Sequence, residues 1–344
     1  MRSFRFPLLL LAAILAMPPA HAQSRVLRYA GVNLAGAEFN SGKRPGVLNK
    51  DYTYPAASDF GYFAGKGMNI VRLPVLWERL QPAAKGELDA TQLALVKKAI
   101  GQAEAQGQHV ILDVHNYAKY QGARIGSEGV PVDVLVDLWQ RLATEFKDDD
   151  AVMFGLMNEP NAIGAGEWAG AAQAAIEAIR AAGANNLILA PGTAWTGAHS
   201  WASSGYGGTS NATALQGLRD PANRTVVEVH QYLDADYSGT SADCASPTIG
   251  VDKLRGFTEW LRQQGRQGFL AEFGAGPGEV CQQAVDNMLG FIEQNGDVWL
   301  GWTWWAAGGW WKPDYPFNVQ PGKDGSEKPS IALLERHARA ATQP

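Results

Sequence analysis

Eight short runs of apolar, largely β-branched residues recur along the chain, and no other feature restricts its fold as strongly. They cover 27–32, 69–75, 109–115, 152–157, 187–190, 225–230, 268–273 and 298–304. Segments 88–104, 132–146, 168–182, 253–264 and 285–294 lie between them and place apolar residues at helical spacing. Gly107, Gly183 and Gly265 follow three of these segments, where a left-handed cap ends a helix. Strands that are apolar nearly throughout, alternating with helices, belong to a parallel sheet covered on both faces. Eight such units predict an α/β chain folded as a (β/α)₈ TIM barrel in a single domain. A doubly wound open sheet is the competing arrangement. It favours a glycine-rich phosphate turn after the first strand, and the glycines of Gly31-Val32-Asn33-Leu34-Ala35-Gly36 have the wrong spacing for one. The Gly- and Ser-rich stretch 203–213 falls inside the fifth unit and reads as a surface loop.

The N-terminus is set apart from that repeat. Arg2 and Arg5 precede an apolar run from Phe6 to Met17, followed by Pro18, Pro19 and the small-residue pattern Ala20-His21-Ala22. This is the pattern of a secretory signal peptide over 1–22, too short to span a membrane, which leaves 23–344 as the barrel domain of a secreted protein. Export changes how Cys244 and Cys281 are read. In an oxidising compartment such a pair is more often a disulfide than a metal site, the alternative being two buried thiols. Adjacent βα units would bring both to one rim of the barrel, with Cα atoms about 4.4 to 6.8 Å apart if they are bonded. The formal charge is −5 and no basic stripe is present, which argues against a nucleic-acid partner. A monomer is expected.

Barrel enzymes carry their active sites at the C-terminal ends of the strands. Those ends hold Arg72 on strand two, His115 and Asn116 on three, Asn158 and Glu159 on four, His230 and Tyr232 on six, Glu272 on seven, and Trp304 and Trp305 on eight. Singly, each has an ordinary structural reading: a surface Glu, an ion-paired Arg, a core His, a Trp that fills space. Together they come from several strands and converge on one rim. A buried carboxylate without a partner costs several kcal/mol, so Glu159 and Glu272 must be paired or used. Two carboxylates with neutral donors suit the acid and nucleophile roles across a glycosidic bond. Six of the twelve Trp lie between Trp299 and Trp311, which suits a flat binding surface. Two His with Asp113 lack the HxH or HExxH spacing of a metal site, so no metal or cofactor is expected.

The stretch Val152-Met153-Phe154-Gly155-Leu156-Met157-Asn158-Glu159-Pro160 resembles the strand-four signature of glycoside hydrolase family 5, the cellulase A family. Asn69-Ile70-Val71-Arg72-Leu73-Pro74, Asp113-Val114-His115-Asn116-Tyr117, His230-Gln231-Tyr232, Ala271-Glu272-Phe273-Gly274 and Trp304-Trp305-Ala306 resemble its other strand ends, in the same order. The resemblance covers nearly the whole chain after the leader and is closest to secreted endo-β-1,4-glucanases, in which the two cysteines form a disulfide.

The resemblance implies a retaining hydrolase of cellulose or mixed-linkage β-glucan, with Glu159 as acid and base and Glu272 as nucleophile. Arg72 and Tyr232 would hold Glu272 ionised, and Glu159, near a negative neighbour, would keep a proton. Asn158 would bind the 2-hydroxyl of the cleaved sugar, His115 and Asn116 would contact that sugar, and His230 would lie near Glu159. Trp305 would form the floor beneath it, with Trp195 and the pair Trp310-Trp311 at neighbouring subsites. Other β-glycanases, β-mannanases among them, use the same scaffold. A silent polysaccharide-binding barrel is the reading from another class, and it would have lost one of the two carboxylates.

Overall fold

The structure, a computed structural model, describes Met1 and residues 26–342. The expected signal peptide over 1–22 lies, apart from Met1, outside the described residues. Eight parallel strands close into a barrel: β1 (Tyr29–Leu34), β2 (Ile70–Val75), β3 (His109–Val114), β4 (Val152–Gly155), β5 (Ile188–Pro191), β6 (Thr225–His230), β7 (Gly268–Glu272) and β8 (Trp299–Ala307). Each pairs with its neighbours in chain order, and β1 closes on β8. The expected (β/α)₈ barrel is therefore the fold. Among the described residues, seven longer helices pack outside it: α1 (Ala57–Gly65), α2 (Ala90–Glu104), α3 (Val132–Phe146), α4 (Ala165–Ala181), α5 (Ile249–Gln264), α6 (Glu279–Gln294) and α7 (Ile331–Thr342). The unit after β5 has only 3₁₀ turns and the single-turn helix Asn211–Ala214, so the 203–213 stretch is indeed largely irregular.

Local chemistry sets the helix ends. Asp89 caps α2 by accepting from the Gln92 backbone N–H at 2.9 Å. Gly265 ends α5 at φ 61°, a left-handed conformation that costs glycine little.

The barrel interior is layered by the period of two along each strand. Ile70, Ile111, Met153, Leu189, Val226 and Phe269 form a small apolar cluster, separate from the larger core between sheet and helices. Two residues further along β2, β3 and β6 the same inward face carries Arg72, Asp113 and Glu228, all fully buried. Glu272 is the exception. A strict alternation would place it with Leu270, which packs in the outer core. The β6–β7 register shifts between Val229 and His230, so that His230 pairs with Glu272. This irregularity re-aims Glu272 toward the rim.

Cys244 and Cys281 are bonded, with Cα atoms 5.2 Å apart and a sequence separation of 37. The bridge ties the loop after β6 to the start of α6. In the chain-entropy account a loop of this length contributes about 3 to 4.7 kcal/mol. Reduction is expected to lower the melting temperature by several degrees while initial rates at low temperature stay near those of the oxidised protein; differential scanning calorimetry and assays with and without reductant check this.

Candidate active site

Arg72 organises the C-terminal mouth of the barrel. Its Nη1 donates to Glu272 Oε1 at 2.6 Å and to Asn33 Oδ1 at 2.9 Å. Nη2 donates to Asn158 Oδ1 at 2.8 Å and to Glu228 Oε1 at 3.2 Å, with Asp113 Oδ1 at 3.1 Å. Burial works against the guanidinium charge, but the Asp113, Glu228 and Glu272 carboxylates more than offset it and hold Arg72 protonated. Asn33 anchors the arrangement to the sheet by donating to the Ala271 carbonyl at 2.9 Å.

The second oxygen of Glu272 accepts from Tyr232 Oη at 3.0 Å. Glu272 is thus buried, bonded to a cation on one side and a phenol on the other, and 3% exposed. Burial and the nearby Glu272 and Glu159 charges push the Tyr232 phenol well above its ordinary range, so it stays a donor.

Glu159 follows β4 with a backbone φ of 42°, left-handed although it is not glycine and precedes Pro160. A side chain held there carries about 1–3 kcal/mol of strain, a cost characteristic of functional positions. Its Oε1 lies 2.9 Å from His230 Nδ1. His230 Nε2 lies 3.2 Å from Glu228 Oε1, and Glu272 Oε2 is 3.5 Å from Nδ1. Burial opposes the imidazolium, yet the Glu272 charge and the bonds to Glu159 and Glu228 push its pKa up to about 10.

One ligand atom each from Glu159, His230 and Glu272 lie within 4.8 Å of one another, the only metal-competent group among the described residues. Its donors are already committed. Both His230 nitrogens face carboxylates, which favours a doubly protonated ring with no lone pair to offer, and the Glu272 oxygens take Arg72 and Tyr232.

Asn158 is oriented from two sides, with Oδ1 on Arg72 and Nδ2 3.2 Å from His115 Nε2. His115 Nδ1 lies 2.8 Å from Asp113 Oδ2, and the ring stacks on Trp305 at 5.5 Å and 15°. Burial disfavours charge on His115, but the Asp113 bond and charge, with Glu38 and Glu272 behind them, raise its pKa overall. Trp305 meets Trp311 edge-on at 6.0 Å, and Trp311 stacks on Tyr315 at 4.3 Å. Trp310 is 38% exposed beside them. Trp195 stands half-exposed on the opposite side at φ 56°, lining a cleft of about 480 Å³ with Glu159, His199, His230, Tyr232 and Tyr237.

Asn116 needs correction. Its side chain accepts from the Trp77 backbone N–H at 2.7 Å and donates to Glu78 Oε2 at 2.7 Å, so its amide braces the turn Trp77–Leu80 and is not free for a sugar. Its position at a strand end misleads because the chain turns there, and the next polar side chain faces back into the protein.

Glu228, Asn33, Tyr117 and Glu38 belong to this network although their motifs do not announce them. Tyr117 Oη lies 3.3 Å from His115 Nε2, and buried Glu38 accepts from the Gly36 backbone N–H at 2.8 Å. The signal available for Glu228 is parity: in Thr225-Val226-Val227-Glu228-Val229-His230 it shares the inward face with His230.

A parallel eightfold barrel with two opposed carboxylates and a tryptophan platform at the mouth is the architecture of a glycoside hydrolase. The chain matches the profile of cellulase (glycosyl hydrolase family 5) over residues 29–308. It belongs to that family. It is 37% identical over 341 residues to probable endo-beta-1,4-glucanase B of Aspergillus niger, covering 97% of this chain and 99% of that one. Among solved structures, the endo-beta-1,4-glucanase Xac0029 of Xanthomonas axonopodis pv. citri is 59% identical with a TM-score of 0.91, covering 92% of this chain and 100% of that one. XacCel5A, solved with cellopentaose, is 63% identical with a TM-score of 0.89, covering 90% and 99%.

Proposed function

We propose that this protein is an endo-β-1,4-glucanase that cleaves cellulose or mixed-linkage β-glucan with retention of anomeric configuration. The observation that carries the reading is the approach of Glu159 and Glu272, whose oxygens come within 4.8 Å. Retaining enzymes hold their carboxyl groups about 5–5.5 Å apart, whereas inverting enzymes leave about 6.5–9.5 Å for a water. Relatives named as endo-β-1,4-glucanases, and one solved with cellopentaose, support the substrate class.

In the first step a carboxylate oxygen of Glu272 attacks the anomeric carbon while Glu159 gives its proton to the departing oxygen. The glycosidic bond breaks and an ester to Glu272 forms. In the second step Glu159, now a carboxylate, takes a proton from water, whose oxygen attacks the same carbon and releases Glu272. Arg72 and Tyr232 keep Glu272 aimed. Asn158, held by Arg72 and His115, presents its Nδ2 to the sugar 2-hydroxyl, and Trp305 with His115 forms the platform beneath the ring. Trp195 extends the surface on the leaving-group side, and Trp310 with Trp311 on the other.

Assays on carboxymethylcellulose, barley β-glucan, xylan and mannan should give rates on the first two at least about tenfold above the last two, a difference of 1.4 kcal/mol in transition-state binding; faster mannan cleavage would overturn the substrate assignment. Glu159→Gln should lose about 10²–10⁴-fold on β-glucan but little in the first step on an aryl glycoside with a good leaving group, which needs no proton. Equal losses on both, read by the pre-steady-state burst, would contradict Glu159 as the acid. The bonded cysteines suit an oxidising compartment, and no helix of the described residues is long and apolar enough to cross a membrane. We further propose that the protein is exported and acts as a monomer.

A further inference from the structure

Glu228 occupies the interior of β6 and is completely buried, so no sugar reaches it. Its Oε1 is 3.2 Å from Arg72 Nη2 and 3.2 Å from His230 Nε2, while Oε2 is buried without a hydrogen-bond partner. On the other side of the His230 ring, Nδ1 is 2.9 Å from Glu159. Glu228, His230 and Glu159 therefore form a chain of carboxylate, imidazole and carboxylate. A neutral ring has one N–H and can accept on its other nitrogen while Glu159 carries its proton, but it turns a lone pair toward a carboxylate once Glu159 is charged; a protonated ring can face both carboxylates throughout the reaction.

The groups facing the ring favour the second state. Glu159 approaches from the end of β4, Glu228 from its own strand and Glu272 from β7, while the nearby cation, Arg72 on β2, is shared with Glu228, Glu272 and Asp113. The raised pKa of His230 agrees with this geometry. Neutralising Arg72 does not require Glu228, because Asp113 and Glu272 already flank the guanidinium. A third buried carboxylate, with one oxygen unpaired, is a cost that asks for a use.

We infer that Glu228 is a positioning residue for the proton transfer: it holds His230 as an imidazolium whose Nδ1–H donates to Glu159 throughout the reaction. His230 keeps both protons. Glu159 alone gives its proton to the leaving oxygen and recovers one from water, and the bond from His230 strengthens as Glu159 becomes charged. The inference rests on Glu159 being the acid, as proposed above.

The competent free enzyme then carries three protons on this pair, two on the His230 ring and one on Glu159. Removing the Glu228 charge lowers the proton affinity of that pair, so its first proton leaves at lower pH. An opposite charge within about 4–6 Å shifts a pKa by roughly 1–3 units. In Glu228→Gln the alkaline limb of kcat/KM on β-glucan should therefore move down by about one pH unit or more, with kcat reduced about tenfold and KM little changed. Glu228→Asp, which keeps the charge, should restore the limb. Nitrogen-detected NMR of the His230 ring in the wild-type protein near pH 7 should show both N–H groups, a measurement that needs no variant to fold. A ring with one N–H, or a limb that does not move in Glu228→Gln, would overturn the role of Glu228 whatever Glu159 does. If instead the ring carries both protons but Glu159→Gln lacks its leaving-group rescue, the acid assignment beneath the inference is what fails.

Discussion

Replacing Glu272 by Gln is expected to reduce kcat by about 10⁴-fold or more on β-glucan and on an activated aryl glycoside alike, because no other group can form the ester. The substitution is nearly isosteric. The Gln oxygen can still accept from Arg72 Nη1, and the guanidinium keeps Asp113 and Glu228 beside it, so the barrel should fold and bind substrate. The contrast with Glu159→Gln lies in the leaving group: an aryl glycoside spares the loss of the acid but not of the nucleophile. Steady-state assays of purified protein on both substrates, with circular dichroism to confirm folding, check this. Residual activity above about one per cent on either would show that Glu272 is not the nucleophile.

Arg72→Leu should be the most damaging single change to stability. It leaves Asp113, Glu228 and Glu272 close together in the barrel mouth with their central cation gone, and removing one partner of a buried ion pair costs about 3–5 kcal/mol. Asn33 and Asn158 each lose a donor as well. Urea unfolding should show the whole deficit at neutral pH and a smaller one in mild acid, where carboxylates can take up protons. Arg72→Lys keeps the charge but cannot fork to Asn33, Glu272 and Asn158 together, and should fall between. A loss below about 1 kcal/mol for Arg72→Leu would mean the three carboxylates are not held charged by Arg72.

Much of this architecture can be read from the sequence because barrel strands are buried on both faces. The runs at 69–75, 109–115 and 225–230 contain the observed β2, β3 and β6 within a residue or so at each end. The first strand is less legible. The apolar run 27–32 starts before β1 and stops short of Asn33 and Leu34, because a polar inward residue interrupts it exactly where it matters to Arg72. Helix α1 is nine residues long and contains Gly61, too short for the period to declare itself. The motif residues Arg72, Asn158, Glu159, His230, Tyr232 and Glu272 do meet at one mouth. Asn116 does not join them, since nothing in the sequence says which way a side chain faces once the strand has ended. Glu228 escapes for the opposite reason: in the middle of an apolar strand it carries no motif, and its importance depends on what it meets in the fold, Arg72 from 156 positions back and, through His230 two positions on, Glu159.

The central claim is double displacement through Glu272, and proton NMR of the first product released from a β-glucan oligosaccharide tests it most directly. Spectra taken within the first minutes, before mutarotation equilibrates the anomers, should show the new reducing end as the β-anomer. Prompt appearance of the α-anomer would mean a single inverting displacement by water, and with it the roles given to Glu159 and Glu272 would be wrong.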